Sequence, residues 1–339
     1  MRVLVTGGGG FLGTAICRAL RARGDDVRSI SRGAYPALQA LGVEHRSGDL
    51  ADAAFVREAV RGVDAVMHVA AKAGIWGDEA DYVRANVVGT QSVLDAVAAE
   101  GIGKLVYTST PSVVQTDEDC AGGDETTPYA PRPRTAYART KIEAERRILA
   151  ANAAALSTVA LRPRLIWGPG DPHILPRLAE RSRAGRLRRV GAGGKLVDSI
   201  YVENAADAHL CALDALAPTA ALAGRAYFVS NGEPWPMWDL INALLAAAGA
   251  PIVERAIPEP VAFAAGALCE ALWTLLPLAG EPPMTRFLAR QLATANWFDI
   301  SATRRDLDWS PRVTMTEGLA LLRAAHAAEA GTPRQIAIP

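Results

Sequence analysis

Neither sign of charge is in excess in this chain: 36 lysines and arginines stand against 36 aspartates and glutamates, a formal net charge of zero. So balanced a chain lacks the basic footprint of non-specific nucleic-acid binding, and nucleic acid is not expected as a partner. Cysteine is scarce, with Cys17, Cys120, Cys211 and Cys269 the whole complement. None stands in a CxxC or other ligand spacing, which argues against a metal site or a disulfide framework and fits reduced thiols in a cytoplasm. The five histidines are dispersed as well, so no metal is expected. No internal repeat or low-complexity tract is evident. The opening MRVLVTGGGGFLG has no cationic segment followed by a cleavable apolar one, so export is not expected and the localisation expected is cytoplasmic. Long apolar runs are lacking too, with one near exception. Residues 261–280, VAFAAGALCEALWTLLPLAG, approach the roughly 20 residues that cross a bilayer. Glu270 lies at the centre of this run and Pro277 near its end, and a central acid costs about 3 kcal/mol on insertion scales. A buried or partner-facing helix is expected there, with at most peripheral membrane contact.

What is present is a regular alternation. RVLVTG (2–7), DVRSIS (26–31), VEHRSGDL (43–50), DAVMHVAA (64–71) and KLVYTST (104–110) read as strands, and LSTVALRPRLIWG (156–168) as a sixth. Between them, residues 11–22, 53–61 and 83–100 carry helical apolar spacing. Strand–helix alternation of this kind predicts an α/β fold, a doubly wound parallel Rossmann sheet covered on both faces. After GPGDP the pattern changes. A basic helical segment (175–189) precedes a short strand that leads into a helix, AYFVSNG (226–232) reads as a further strand, and the remainder is mostly helical. The organisation predicted is a nucleotide-binding domain over 1–172, completed by about 196–232. A smaller, mostly helical C-terminal substrate domain takes 173–195 and 233–330, and 331–339 form a tail.

TGGGGFLG sits between the first strand and the first helix and spaces Gly7, Gly10 and Gly13 as GxxGxxG. A diphosphate needs backbone N–H groups and a helix N-terminus close by, with no Cβ in the way. Alone the motif is weak, but its place after a strand and before a helix makes it strong. About 20 residues further on, an NAD enzyme carries an acid for the ribose 2′-hydroxyl. Here stand Ser31 and Arg32, and a guanidinium suits a 2′-phosphate, so NADP(H) is expected. The alternative, in which Arg32 faces solvent and Asp25 or Asp26 loops back, stays open. Asp49, after the third strand, is placed to meet the adenine edge.

Tyr137 and Lys141 lie four residues apart in TAYARTK, a spacing that puts both on one helix face. An ammonium beside a phenol favours the phenolate and lowers a pKa that is about 10 in water, giving an acid or base usable near neutrality. Thr110, at the end of the fifth strand, can polarise a substrate oxygen, although Ser109 and Ser112 are neighbours that could do the same.

TGGGGFLG, GDL, HVAA, NVVGT (86–90), YTST and YARTK occur in the order of the extended short-chain dehydrogenase/reductase superfamily, which the chain resembles over nearly its whole length. YTSTPSVV, LRPRLIWGPGD and YVENAADAH resemble its 3β-hydroxysteroid dehydrogenase-like branch. STPSVV, RPRLIWGPGDPHILPRL, GRLRRVG and LVDSIYVENAADAH are similar to the ketoacid reductases of bacterial long-chain olefin biosynthesis, which reduce 2-alkyl-3-oxoalkanoic acids with NADPH. The resemblance implies a catalytic set of Thr110, Tyr137 and Lys141, with threonine where serine is usual. It implies cofactor contacts from Gly7, Gly10, Phe11, Leu12 and Gly13 in the glycine turn; Ser31, Arg32, Asp49 and Leu50 after the second and third strands; Ala70, Ala71, Lys72 and Asn86 around the fourth; and Thr108, Pro163 and Leu165 besides Tyr137 and Lys141. It also implies a lipid-like substrate, a homodimer and assembly with other olefin-pathway enzymes. Trp76, Ser112, His173 and Arg177 are substrate candidates. For each the blander reading is packing, loop stabilisation or, in the basic run Arg177, Arg181, Arg183, Arg186, Arg188 and Arg189, a solvated face. Asp207 is expected to cap or pack. A 3β-hydroxysteroid or triterpenoid dehydrogenase would share every catalytic residue. A non-catalytic NADP-sensing regulator is the alternative of another class, and such proteins lack the Tyr/Lys pair kept here.

Overall fold

The computed structural model describes residues 1–191, 193–276 and 278–331. Pro277 and the tail at 332–339 lie outside the described residues. Seven strands form one parallel sheet: β1 (Arg2–Thr6), β2 (Asp26–Ser31), β3 (Glu44–Ser47), β4 (Ala65–His68), β5 (Lys104–Thr108), β6 (Ser157–Pro163) and β7 (Arg225–Val229). Their order across the sheet is β7-β6-β5-β4-β1-β2-β3, so the chain reverses direction between β1 and β4. In doubly wound sheets the ligand crevice opens at this reversal, outside the strands' carboxyl ends. The strands read as apolar runs because both faces are covered. Val3, Val5, Met67, Val106, Val159 and Leu161 face one core with α1 (Phe11–Ala22) and α5 (Val202–Ala215). Leu4, Val66, Leu105, Tyr107 and Ala160 face the other, under α2 (Ala53–Val60), α3 (Gly89–Ala99) and α4 (Ala136–Ala150).

The sixth predicted strand divides. β6 ends at Pro163, and Ile166–Trp167 pairs separately with Ile200–Tyr201. Between them Leu165 adopts φ 44°, a left-handed turn that breaks the ladder. The helix expected over 83–100 opens instead with a wide π-turn at Val83–Val88 before α3. The basic segment is helical only over Ile174–Arg183, and Arg189–Val190 pairs with Ala256–Ile257.

A third core, built on Trp167, Trp238, Leu240, Leu244 and Met315, belongs to the C-terminal lobe. That lobe is not wholly separate. Asn296–Phe298 pairs with Cys120–Gly123 and with Val197, forming a four-stranded sheet with Trp235–Pro236. Phe298, Ile300, Leu307 and Trp309 then pack into the first core. The apolar run 261–280 supplies the helix Glu259–Leu275. It buries Ala262 and Gly266 and ties Glu270 to Arg286 at 2.6 Å. Val261, Ala264, Ala265, Leu268, Ala271, Leu272 and Leu275 are exposed along its outer face. No helix among the described residues is long and apolar enough to cross a membrane.

Candidate active site

The glycine turn is shaped by contact as well as by flexibility. Gly7, at φ 72°, donates its N–H to the Ile30 carbonyl at 2.7 Å, and the Gly10 N–H returns to the Gly7 carbonyl at 2.9 Å. A Cβ on Gly13 would lie 2.1 Å from the Gly7 oxygen, and one on Gly7 would lie 2.7 Å from the Ala70 Cα. Helix and strand therefore approach as closely as backbones can. Gly10 is the N-cap of α1 and no side chain caps it, so the first N–H groups of α1 lack a side-chain acceptor. This fits a diphosphate anion. Phe11 and Leu12 begin α1, Leu12 buried and Phe11 packed against the first core.

Around this turn, Ser31 accepts the Gly9 N–H on Oγ at 3.2 Å and Arg32 is exposed. Asp25 is held by the N-terminal ammonium at 2.9 Å and by Arg23 at 2.7 Å. Asp26 opens β2 next to it, at the opposite end of the strand from the glycine turn. Asp49 accepts from the Ala51 N–H at 2.9 Å and from Arg84 at 2.9 Å, and these bonds hold its carboxyl below the usual range. Leu50 follows it, half-buried. Ala70 and Ala71 leave β4, and Lys72 is tied to Asn86 through both backbone groups: its N–H donates at 2.7 Å and its carbonyl accepts at 3.0 Å. The same Asn86 amide donates to Thr140 at 3.0 Å, so the π-turn is pinned to α4.

Thr135 N-caps α4, its hydroxyl accepting the Ala138 N–H at 3.1 Å. That start places Tyr137 in the first turn and Lys141 one turn on. Burial pushes the Tyr137 phenol up to about 12; a hydrogen bond with Thr110 opposes the rise and Tyr82 adds to it. Burial drives Lys141 down to about 7, partly offset by Glu145. The expectation of a phenol held below its ordinary value is therefore not met in this structure. The reason is geometric. The Lys141 ammonium donates to the Thr108 carbonyl at 2.6 Å and lies 4.1 Å from the centre of the Tyr107 ring, so its charge is spent on β5. Nearby His68, pushed down to about 3 by burial and by Lys141, is neutral. Thr90 gives its proton to the Asn86 carbonyl at 2.6 Å, so His68 Nε2 donates to Thr90 and Nδ1 accepts from Thr6.

Of the three hydroxyls after β5, Thr110 is the one brought to Tyr137. It donates to Ser112 Oγ at 3.2 Å, while Ser109 Oγ is buried without a partner. Thr108 uses its side chain on His209 at 2.8 Å. Pro163 is buried at the end of β6, and the Leu165 carbonyl accepts from Ile200 at 3.2 Å.

The substrate candidates separate. Trp76 is half-buried, and its carbonyl accepts the Tyr82 hydroxyl at 3.0 Å. Tyr82, a residue with no motif of its own, is buried and acts on Tyr137. Burial raises the Tyr82 phenol and Glu281 adds to the rise; Glu281 also pairs with Arg177 at 2.8 Å. Arg177 is thus near this group but already matched to an acid and largely exposed. His173 is exposed, its backbone N–H capped by Asp171 at 2.8 Å. Asp207 lies 3.4 Å from Arg312 on α5. Among the described residues no His, Cys, Asp and Glu cluster could hold a metal.

Known proteins agree with this architecture. Residues 4–258 match the 3-beta hydroxysteroid dehydrogenase/isomerase family. The chain is 56% identical over 97% of its length, and the whole of the relative, to the 2-alkyl-3-oxoalkanoate reductase of Stenotrophomonas maltophilia. It is 36% identical to the 3 beta-hydroxysteroid dehydrogenase/Delta 5-->4-isomerase of Mycobacterium tuberculosis, over 94% of this chain and 88% of that one. Among solved structures, the UDP-glucose 4-epimerase of Thermus thermophilus in complex with NAD superposes with a TM-score of 0.73 at 25% identity, covering 96% of this chain and 99% of the other. With the family model spanning most of the chain and the sheet, glycine turn and Tyr/Lys helix in place, the chain is an oxidoreductase that belongs to the 3-beta hydroxysteroid dehydrogenase/isomerase family.

Proposed function

We propose that the protein reduces the 3-keto group of a 2-alkyl-3-oxoalkanoic acid to the 3-hydroxy acid, using NADPH. The observation that carries this reading is the 56% identity, end to end, with a reductase of that name. When bound, the reduced nicotinamide supplies the hydride. The chain supplies the rest. The glycine turn and the uncapped N-terminus of α1 bind the diphosphate. Tyr137, a phenol protonated at neutral pH, donates that proton to the developing alkoxide. Thr110 hydrogen-bonds the same oxygen and stabilises its charge. Lys141, one turn on from Tyr137 and bonded to the Thr108 carbonyl, is the residue of α4 that would hold the ribose.

The preference for NADPH rests on Ser31 and Arg32 at the end of β2. It gains support from Asp25 and Asp26, which are engaged or placed at the strand's other end and leave no acid of β2 for a ribose 2′-hydroxyl. Replacing Arg32 by Glu is expected to raise the KM for NADPH at least tenfold, about 1.4 kcal/mol, while leaving NADH use unchanged or improved. An equal loss with both cofactors would remove the argument. The substrate reading is tested by supplying NADPH with a synthetic 2-alkyl-3-oxoalkanoic acid or with a 3-ketosteroid. The acid is expected to be the better substrate, and preference for the steroid would overturn the assignment.

A further inference from the structure

A 2-alkyl-3-oxoalkanoic acid carries a carboxylate beside the reacting ketone, and an enzyme selective for it needs a cation at that distance. Arg177, the arginine expected in this role, is exposed and paired with Glu281. A different arginine stands on the ligand edge of the sheet. Arg164 follows Pro163 at the C-terminal end of β6. The neighbouring strand, β5, runs on into Ser109 and Thr110, with the Ser109 N–H bonded to the Leu161 carbonyl at 2.6 Å. Arg164 therefore sits on the same edge of the sheet as Thr110, one strand over, where parallel sheets bind their ligands.

Its surroundings do not explain it. Arg162, two positions earlier, is matched in the ordinary way by two bonds to Glu145, at 2.6 and 3.1 Å. Arg164 makes no side-chain hydrogen bond or ion pair among the described residues, and its Nε is buried without a partner. Burial pushes the guanidinium down to about 10, with Asp198 and Cys120 working the other way. It remains a cation at neutral pH, half-buried and favoured by Asp198, but its buried Nε makes no hydrogen bond to offset the loss of water. Asp198 gives Oδ2 to the Phe298 N–H at 2.8 Å, and its Oδ1 is buried and unpartnered. Asn296 Oδ1 is unpartnered as well, on the strand in register with Val197 and Cys120. Of these three buried atoms only Arg164 Nε is a donor; it lies where the small sheet meets the ligand edge of the large one, and it is the atom a carboxylate would satisfy, whereas Asp198 Oδ1 and Asn296 Oδ1 are acceptors.

We propose that Arg164 forms the carboxylate-binding subsite of this enzyme, its guanidinium taking the acid group of the substrate while Thr110 and Tyr137 take the ketone oxygen. This deepens the substrate assignment above and rests on it. A planar guanidinium holds a carboxylate through two parallel bonds, which fixes the direction of the carbonyl as well as adding affinity.

The test uses the full chain and a matched pair of substrates. Loss of CO2 from a 2-alkyl-3-oxoalkanoic acid leaves a dialkyl ketone with the same two tails and the same carbonyl, lacking only the carboxylate. Arg164→Met is expected to lower kcat/KM for the acid by about 100-fold, mainly through KM, and to change kcat/KM for the ketone less than twofold. Arg164→Lys should recover part of the loss. Should the ketone prove too poor a substrate, the same contrast is read by calorimetry with NADP+ present, comparing the 3-hydroxy acid with the corresponding alcohol. The acid should weaken in Arg164→Met and the alcohol should not. Equal losses for acid and ketone, or a lowered Tm with both activities reduced in step, would mark Arg164 as structural and overturn the proposal. An unchanged acid KM would do the same. If the wild-type protein reduces no such acid at all, it is the substrate assignment that fails, and the two failures are told apart by the wild-type measurement alone.

Discussion

Tyr137 and Lys141 are one turn apart on α4, yet their environments pull them in opposite directions. The phenol is raised to about 12 and the ammonium lowered to about 7, both chiefly by burial. The spacing was legible in the sequence; the burial that sets the chemistry was not, because it comes from β5, Tyr82 and Tyr107, none of which is local to α4. Arg164 and Glu281 were hidden for the same reason: their significance lies in which partners they have or lack, and Glu281 is more than a hundred residues from the residues it meets. The glycines, by contrast, are read from a single turn. Lys141 also carries a stability consequence. Its folded pKa lies below its ordinary value of 10.5, so the folded state binds fewer protons than the unfolded one between about pH 7 and 10.5, and folding is penalised in full below pH 7. Lys141→Met is therefore expected to abolish turnover while raising the Tm by several degrees at pH 6. The gap should narrow as pH rises toward 10.5. A variant that melts lower than the wild type at pH 6 would show that the bond to the Thr108 carbonyl outweighs the cost of burying the charge.

Among the elements, those made of one contiguous pattern emerged with close boundaries. DVRSIS is β2 to the residue, and residues 11–22 are α1. The elements that differ depend on contacts distant in sequence. The π-turn at Val83–Val88 accompanies the Asn86 side chain bridging Lys72 and Thr140. The strand Cys120–Gly123 exists because Asn296–Phe298 returns to pair with it, and no periodicity in CAGG announces that. The run 261–280 shows the limit of hydropathy: its apolar outer stripe is real, but the helix ends after 17 residues and is anchored by Glu270. Helix α4 depends on its cap. Thr135→Ala removes the acceptor for the Ala138 N–H and is expected to cost about 1 kcal/mol of stability. Because Tyr137 lies in that first turn, kcat should fall further than the cofactor affinity, as read by steady-state kinetics alongside a denaturant titration. Loss of stability with kcat intact would separate the cap from the chemistry.

On the scale of the whole molecule, a parallel sheet delivers the ends of its strands to one edge, and the proposed chemistry is assembled there from parts far apart in the chain. The glycine turn follows β1, Thr110 follows β5, Arg164 follows β6, and Tyr137 stands on the helix between the last two. Strand–helix alternation made the sheet legible, and with it the edge at which to look. It did not reveal that the C-terminal lobe sends Phe298, Ile300, Leu307 and Trp309 back into the first core, since apolar residues do not declare which core they join. At that edge, in the reaction proposed, Tyr137 protonates the ketone oxygen of a 2-alkyl-3-oxoalkanoic acid as NADPH is consumed. The most direct measurement is single-turnover NADPH oxidation with that acid, comparing the wild type with Tyr137→Phe, together with the NADPH dissociation constant of each. Tyr137→Phe is expected to lose at least about 100-fold in the rate, with NADPH binding unchanged within about twofold. A variant that oxidises NADPH at the wild-type rate would contradict it.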